Sequence, residues 1–182
     1  MPMLMVLGRL NQVLLDEGVR SLTSIVAISG EIWDSHSSAC MLGFGASAIY
    51  PYLLYACVLD ECKKSEFGAY EVKTRLKNVN HSLCQGLLKI MSKMGISTVA
   101  SYRNSALFDV LGLSSVMVNE CFGSAYALIG GLGYEDIEER ILRNHAAAYE
   151  LNLTHKLFPL EIGGFYKYTD GNEYHDYHPH AI

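Results

Sequence analysis

The pattern of hydrophobic and polar positions predicts an alternation of helices and short strands along most of the chain. Hydrophobic residues recur at helical spacing from Met3 to Glu17, where Leu7, Leu10 and Leu14 share one face. The segment from Thr23 to Ser29 is short, β-branched and apolar on both faces. Such a segment is typical of a strand that helices cover on both sides of a parallel sheet. This start therefore favours an α/β fold.

Three more helices and one more strand continue this alternation. We predict helices over Ser35 to Gly43, Tyr52 to Lys64 and Tyr70 to Met94, and a strand from Ala48 to Tyr50. The third of these helices should end at Gly95, because a glycine just past the last periodic residue readily adopts the left-handed conformation that closes a helix. The predicted fold class is α/β, with layers in which helices flank a mostly parallel sheet.

The second half of the chain shows less regular patterns. We predict a strand from Ser97 to Ser101, followed by helices over Ser105 to Leu111 and Ser114 to Cys121. A connector from Phe122 to Gly133 then leads to a last helix over Glu135 to Tyr149. From Leu151 onward the sequence is aromatic and histidine-rich without a helical period, and residues 165–177 favour a hairpin. We therefore expect a helical and irregular C-terminal extension.

The composition argues against a nucleic-acid-binding protein and against a membrane-spanning protein. The 182 residues are half hydrophobic, and 14 Lys and Arg against 19 Asp and Glu give a net charge of −5 without a basic block. This charge offers no electrostatic footprint for nucleic acid, and no apolar run approaches the roughly 20 residues that span a bilayer. The five cysteines are odd in number and lie mostly in apolar helical surroundings, as reduced thiols do. We expect a cytoplasmic protein that binds neither nucleic acid nor membrane.

The candidate site lies in the run GLLKIMSKMGISTVASYR, which carries cations through an otherwise apolar segment. Lys89 and Lys93 are four residues apart on one helix face, with Ser92 beside them and Arg103 beyond the helix. One interpretation is that these residues contact an anionic substrate or cofactor. The other is a solvated helix face with snorkelling lysines. Arg103 has a third interpretation, as an anchor that bonds carbonyl groups at a domain junction.

Two other patterns have simple structural interpretations. Gly130, Gly131 and Gly133 precede a helix whose backbone amides would suit a phosphate, but a domain linker is the favoured interpretation because the dinucleotide-binding fingerprint is missing. Cys57 and Cys62 are five positions apart on one predicted helix and so lie on different faces. We predict no metal site from these cysteines.

A histidine-rich tract near the end of the chain has the residue types of a metal site. His175, Asp176, His178 and His180 offer imidazole and carboxylate ligands that suit zinc or nickel. The favoured interpretation is an exposed or partner-covered segment, and we predict no metal here.

Four blocks of the chain match the sequence pattern of one protein family. The first is KIMSKMGISTVASYR with its continuation NSALFDVLGL, which is similar to KxMSKMGIST followed by SYRGAQIFEAxGL. This pattern resembles the large subunit of glutamate synthase. The others are LGFGASAIYPYL at 42–53, LIGGLGYEDIEERILRNHAAAY at 128–149 and GNEYHDYHPHAI at 171–182. Asn104 and Ala106 stand where the first pattern has a glycine and a glutamine. The blocks occur in the family's order and extend over nearly the whole chain.

The resemblance implies a domain organisation and a parent activity. Residues 1–128 would be the C-terminal part of the central domain, and residues 129–182 the connector and the truncated start of the FMN-binding domain. The complete enzyme forms L-glutamate from L-glutamine and 2-oxoglutarate, using FMN and a 3Fe-4S cluster. Its partners here would be the remaining domains of the large subunit and a small NADPH-oxidising subunit. The glutaminase cysteine, flavin loops and cluster cysteines fall outside these residues, so we expect no cofactor and no activity in this segment alone.

The role that the resemblance implies is a structural spacer between the amidotransferase and flavin domains. Two alternatives stay open. One is a free-standing module that holds a small anion through Lys89, Lys93 and the turn at Gly131. The other is a degenerate remnant without catalysis.

Overall fold

The structure is a computed structural model that describes residues 1–65, 68–123 and 125–150. The described elements, in chain order, are α1 (Met3–Asp16), a short 3₁₀ helix (Arg20–Leu22), β1 (Val26–Ile28), α2 (Ser35–Gly43), β2 (Ala48–Tyr50), α3 (Tyr52–Lys64), α4 (Ala69–Met94), α5 (Val99–Tyr102), β3 (Asp109–Leu113), α6 (Ser115–Cys121), β4 (Tyr126–Leu132) and α7 (Tyr134–Glu150). Residues 1–142 form one compact unit and residues 143–182 a second, and the contacts described below lie within the first. The predicted α/β class is confirmed.

The strands form two parallel pairs, each joined by a helix. In the first pair, β1 and β2 are connected through α2, and Ala27 lies opposite Ile49. In the second pair, β3 and β4 are connected through α6, and Leu111 lies opposite Ile129 with irregular register on either side. Parallel strands need such a crossover because a tight turn cannot reverse the chain twice. The strands are therefore parallel as predicted, but the described residues divide them between two sheets.

The first strand is covered on one face only. Ala27 is 3% exposed, whereas Val26 and Ile28, which point to the opposite side, are 57% and 56% exposed. Successive side chains of a strand alternate between faces, and the helices of this unit pack on the Ala27 side. The expectation that both faces of this strand are covered is not met within the described chain.

Two hydrophobic clusters hold the first unit together, and α1 contributes to both. Leu7 packs into the larger cluster with Ile32, Met91 and Tyr102 from later elements, and Met5 belongs to a second cluster built largely on α6. Full burial of one such side chain is worth roughly 1.5–3 kcal/mol relative to exposure. The first helix therefore links the two clusters.

The end of α4 has the predicted geometry. Gly95 adopts the left-handed conformation with φ of 72°, and two backbone hydrogen bonds close the helix, from Gly95 to Ser92 at 3.2 Å and from Ile96 to Met91 at 3.0 Å. A residue with a Cβ would be strained there, whereas glycine is not. The prediction that Gly95 ends the helix is confirmed.

The strand predicted over Ser97 to Ser101 is wrong. Thr98 caps a short helix there, because its Oγ1 accepts a hydrogen bond from the Ser101 backbone N–H at 3.3 Å, and α5 follows from Val99 to Tyr102. A threonine in the extended conformation favours either a strand or the start of a helix. Burial of Tyr102 in the core selects the helix.

Two further element predictions are wrong for one common reason. The helix predicted over Ser105 to Leu111 is replaced by β3, and the connector predicted over Phe122 to Gly133 contains β4. Each strand is stabilised by pairing with the other across α6. Pairing between segments this far apart depends on tertiary context more than on local propensity.

Two further sequence predictions concern membrane-spanning helices and a hairpin near the end of the chain. Within residues 1–65, 68–123 and 125–150, the model contains no helix with both the length and the apolar character that crossing a membrane demands. The hairpin predicted over residues 165–177 lies outside the described residues.

Candidate functional site

Three of the four predicted site residues lie on the last two turns of α4. Lys89, Ser92 and Lys93 are exposed, while Met91 between them points into the core. Neither lysine forms an ion pair with any described residue. Ser92 borders an open groove of about 370 Å³, whose other lining residues are Leu88, Met91, Gly95, Ile96 and Ser97. We call Lys89, Ser92 and Lys93 the α4 lysine face.

The fourth predicted residue, Arg103, lies beyond α4, at the end of α5. Its backbone N–H donates to the Val99 carbonyl at 2.8 Å and so closes α5, while its exposed side chain makes no hydrogen bond to the described residues. The electrostatic neighbour of Arg103 is Arg20. Burial, and after it the charge of Arg103, lowers the pKa of the Arg20 guanidinium.

Arg20 is the residue that anchors carbonyl groups. Its Nη1 donates to the Thr23 carbonyl at 2.9 Å, its Nη2 to the Gly45 carbonyl at 2.6 Å, and its Nε to Asn11 Oδ1 at 2.6 Å. Gly45 has a φ of 115°, and a Cβ built there would lie 2.6 Å from Asn11 Oδ1. Only glycine therefore fits where Arg20 and Asn11 meet the backbone. Arg20 thus anchors carbonyl groups within the first unit, and the interpretation of Arg103 as an anchor at a domain junction stays a prediction.

Asn11 carries this network to the loop after α5. It is 6% exposed, and its Nδ2 donates to Asn104 Oδ1 at 2.7 Å. The amide orientations follow from chemistry, because a guanidinium only donates hydrogen bonds. Asn11 must present its oxygen to Arg20, so its nitrogen faces Asn104, which must present its own oxygen. The Asn104 side-chain nitrogen is left without an acceptor among the described residues.

The segment from Arg103 to Ala106, which we call the Asn104 loop, has an unusual backbone. Asn104 and Ala106 have positive φ values of 62° and 48°, which side chains other than glycine rarely adopt. Two hydrogen bonds to the end of α2 hold the loop, from the Asn104 N–H to the Leu42 carbonyl at 3.1 Å and from the Ala106 N–H to the Gly43 carbonyl at 3.0 Å. The surrounding structure thus holds the loop in a strained conformation.

Tyr102 at the end of α5 and the neighbouring Cys40 have raised pKa values. Burial, and after it the neighbouring Cys40, raises the pKa of Tyr102 to about 12, and the Tyr102 hydroxyl donates to the Ala39 carbonyl at 3.3 Å. Burial, and after it Asp34, raises the pKa of the Cys40 thiol to about 11. Because the thiolate is the reactive form of cysteine, Cys40 is unsuited to act as a nucleophile at neutral pH. The Nε2 atom of His36 lies 3.6 Å from the Cys40 sulfur.

The other sequence candidates that lie within the described residues form no assembled site. The Gly133 N–H donates to the Asp136 carboxylate at 2.7 Å, so a donor at the start of α7 is already satisfied. Cys57 is exposed and Cys62 is buried, in agreement with different helix faces. No group of three or more His, Cys, Asp or Glu side chains in the described ranges is arranged to hold a metal ion. The tract at His175 lies outside the described residues.

Sequence reasoning missed Asn11 and Arg20. A signal for Asn11 exists, because it lies on the helical stripe of Leu7 and Leu14, where a polar group must be hydrogen bonded. Leu10, which we predicted on the same helix face as Leu7 and Leu14, is 42% exposed, and Asn11 is buried instead. Arg20 offers no such signal, because its Gly45 partner is 25 residues away.

Together, the fold and the site define an α/β domain built from parallel strand pairs with a strained, basic loop between them. The family model for the glutamate synthase central domain matches residues 1–114. The chain belongs to this family, and the resemblance predicted from its sequence blocks is confirmed.

Nearly the whole chain aligns with glutamate synthases from other organisms. It is 34% identical over 182 residues to the large chain of glutamate synthase [NADPH] from Bacillus subtilis, covering 100% of this chain and 12% of the relative. It is 36% identical over 183 residues to ferredoxin-dependent glutamate synthase from Cyanidium caldarium, covering 96% of this chain and 12% of the relative. It is 33% identical over 178 residues to glutamate synthase [NADH] from Schizosaccharomyces pombe, covering 96% of this chain and 8% of the relative. The chain thus spans about one eighth or less of these relatives.

Proposed function

We propose that the chain serves in glutamate synthase as a structural spacer that packs the amidotransferase domain against the flavin domain. One observation carries this proposal. Relatives named for NADPH, for ferredoxin and for NADH are 34%, 36% and 33% identical to nearly the whole chain. Identity that does not change with the electron donor supports a task that these enzymes share, rather than recognition of the donor.

The surfaces of the strand pairs support a role in packing. Apolar side chains stand exposed on both pairs, including Val26 and Ile28 on β1 and Leu128 and Ile129 on β4. Parallel sheets in α/β proteins normally have both faces covered. Val26 and Ile28 point to the same side of β1, and exposed apolar surface often marks a site of contact with another protein surface. The open faces are therefore suited to contact with the neighbouring domains of a large subunit.

The proposal assigns the chemistry to other parts of the enzyme. FMN and the 3Fe-4S cluster would be held outside this segment, which would have no activity alone and would act in the cytoplasm. Its partners would be the remaining domains of the large subunit and, in the full enzyme, a small NADPH-oxidising subunit. The division at residue 128 remains a prediction, with the α4 lysine face and Arg103 as candidate contacts at the junction.

A segment exchange tests the spacer role. The matching segment of the Bacillus subtilis large chain is replaced either by this chain or by a Gly/Ser linker of equal length, and glutamine-dependent glutamate formation is measured. We expect the exchange to retain activity that the linker loses, because a flexible linker fixes no distance or orientation between domains. Glutaminase activity, measured separately, shows that the linker protein contains a folded amidotransferase domain. Equal loss of coupling in both proteins would contradict the proposal.

A further inference from the structure

Two side chains of the types that bind zinc lie in contact on the solvent side of α2. His36 and Cys40 are one helical turn apart, and the distance from the Nε2 atom of His36 to the Cys40 sulfur is 3.6 Å. His36 is exposed and Cys40 is partly exposed, so solvent reaches the pair. Across residues 1–65, 68–123 and 125–150, no second cysteine sulfur makes such a contact with a histidine ring.

The separation of these two atoms matches that of two ligands on one tetrahedral zinc ion. Zn–S bonds of about 2.3 Å and Zn–N bonds of about 2.0–2.1 Å, at the tetrahedral angle, place the sulfur and the nitrogen about 3.5–3.6 Å apart. Two histidines at the same i, i+4 spacing on a helix bind zinc in metalloproteases. The hydrogen bond between His36 and Cys40 therefore already sets the distance that zinc requires.

Packing around α2 holds both side chains in place. Ala39, next to Cys40, is fully buried, and its carbonyl accepts a hydrogen bond from the Tyr102 hydroxyl at 3.3 Å. The His36 ring packs edge-on against Phe108, with ring centroids 6.4 Å apart and an interplanar angle of 79°. A site whose ligands are already positioned loses less conformational entropy when it binds.

The charge near Cys40 favours a cation. After burial, the influence that raises the pKa of the Cys40 thiol is the negative charge of Asp34, which caps the start of α2. The same charge would attract a cation at the sulfur. Sulfur and imidazole ligands suit zinc, whereas magnesium and calcium prefer oxygen ligands.

We propose that His36 and Cys40 form a two-ligand binding site for a zinc ion, with water in the remaining coordination positions. Coordination forms one bond from zinc to His36 Nε2 and one to the Cys40 sulfur. The thiol gives its proton to solvent, because cysteine binds a metal as the thiolate. In the metal-free chain the two side chains share the hydrogen bond described above. This inference does not depend on the spacer role.

Zinc titration of the full chain under reducing conditions tests the site. Glutamine replaces His175, His178 and His180, so that the histidine tract cannot compete for the metal, and NMR follows the imidazole nitrogens. We expect a saturable change at His36 Nε2 that is complete at one zinc ion per chain. With Co²⁺ in place of zinc, a charge-transfer absorption band should report the bond to the Cys40 sulfur. An unchanged His36 Nε2 signal at excess zinc would overturn the proposal.

Substitutions separate this pair from other cysteines and histidines of the chain. His36→Gln and Cys40→Ser should each weaken zinc binding by about tenfold or more, because one of the two protein ligands is lost. The matched control is His81→Gln with Cys84→Ser, since these two exposed residues lie three positions apart on α4 without a contact between their side chains. This control should leave the zinc affinity unchanged.

Thermal unfolding gives a second measurement. A metal that binds only the folded chain raises its melting temperature, so zinc should stabilise the control pair and the unaltered chain but not the Cys40→Ser variant. Undiminished zinc affinity in either single variant, or equal weakening by the control pair, would overturn the proposal.

Discussion

Asn11 on the first helix donates a hydrogen bond of 2.7 Å to Asn104, which lies 93 residues further along the chain. Its own oxygen accepts from Arg20 Nε at 2.6 Å, so one buried amide joins three distant segments. An amide has both a donor and an acceptor, and this position requires both. The relationship gives the Asn104 loop a fixed place relative to α1.

Replacing this amide should destabilise the chain markedly. Asn11→Ala removes two hydrogen bonds, one of them to a charged group, and leaves Arg20 Nε and Asn104 Oδ1 without partners. Net losses of about 1 kcal/mol for a neutral bond and about 1.5–3 kcal/mol for a bond to a charge predict a decrease of about 2.5–4 kcal/mol in the free energy of unfolding. Urea denaturation measures this decrease, as a lower midpoint concentration at an unchanged m-value.

A matched control uses an exposed asparagine. Asn119 lies on α6 with no described side-chain hydrogen bond, so Asn119→Ala should change the unfolding free energy by less than about 0.5 kcal/mol. Equal stabilities of the Asn11→Ala and Asn119→Ala proteins would contradict the structural role of Asn11.

The strained backbone at Ala106 predicts a stabilising substitution. Its φ of 48° costs an L-residue roughly 1–2 kcal/mol, and Ala106→Gly removes that cost. Glycine also gains about 0.4–1 kcal/mol of entropy in the unfolded chain. The difference predicts that Ala106→Gly raises the free energy of unfolding by about 0.5–1 kcal/mol, measured by thermal and urea denaturation.

The same substitution on a helix should have the opposite effect. Ala56 is an exposed residue within α3, and Ala56→Gly should destabilise the chain by about 1 kcal/mol because glycine has a poor helix propensity. Opposite signs at positions 106 and 56 would isolate the backbone effect from loss of a methyl group. Destabilisation by both substitutions would show that Ala106 is not strained.

The sequence predicts those parts of the fold that local signals determine. Helical spacing gives α2 and α3 with the observed bounds, and Gly95 ends α4 through a conformation that one residue controls. The strands β3 and β4 are stabilised by each other across an intervening helix, and their own residues do not specify this pairing. Local propensity therefore fails where non-local pairing decides the conformation.

The candidate site shows the same division. The family pattern marks Asn104 as a position where a glycine is usual, and the structure supplies the reason, a φ of 62°. Asparagine is among the residues other than glycine that tolerate this conformation best. A glycine in the family sequence pattern can thus indicate a backbone position with positive φ. The contacts of Arg20 with Thr23, Gly45 and Asn11 depend on how the chain folds back on itself, and no spacing predicts them.

The buried hydroxyl of Tyr102 should make stability depend on alkaline pH. Its pKa is about 12 in the folded chain, against an ordinary value of about 10. A group with a raised folded pKa binds its proton more tightly when folded, so its contribution is complete below about pH 10 and is lost as the pH rises toward 12. We expect the chain to lose stability over that interval.

Tyr102→Phe isolates this effect from other titrating groups. The variant should be about 1 kcal/mol less stable at pH 8, since the Ala39 carbonyl loses its donor. Between pH 10 and 12 its stability should fall less steeply than that of the unaltered chain, because one group with a raised pKa is gone. Urea midpoints measured across this range provide the test. Parallel curves for the two proteins would contradict the assignment to Tyr102.

The α4 lysine face should affect coupling between domains more than stability. Lys89→Ala with Lys93→Ala removes two exposed cations, so the isolated chain should change by less than about 0.5 kcal/mol. In the Bacillus subtilis exchange protein, loss of two partly exposed ion pairs at a junction should lower glutamine-dependent glutamate formation roughly three- to tenfold. Lys73→Ala with Lys77→Ala is the matched control, with the same spacing and charge on the same helix. Equal effects of the two double substitutions on glutamate formation would exclude a specific contact at the lysine face.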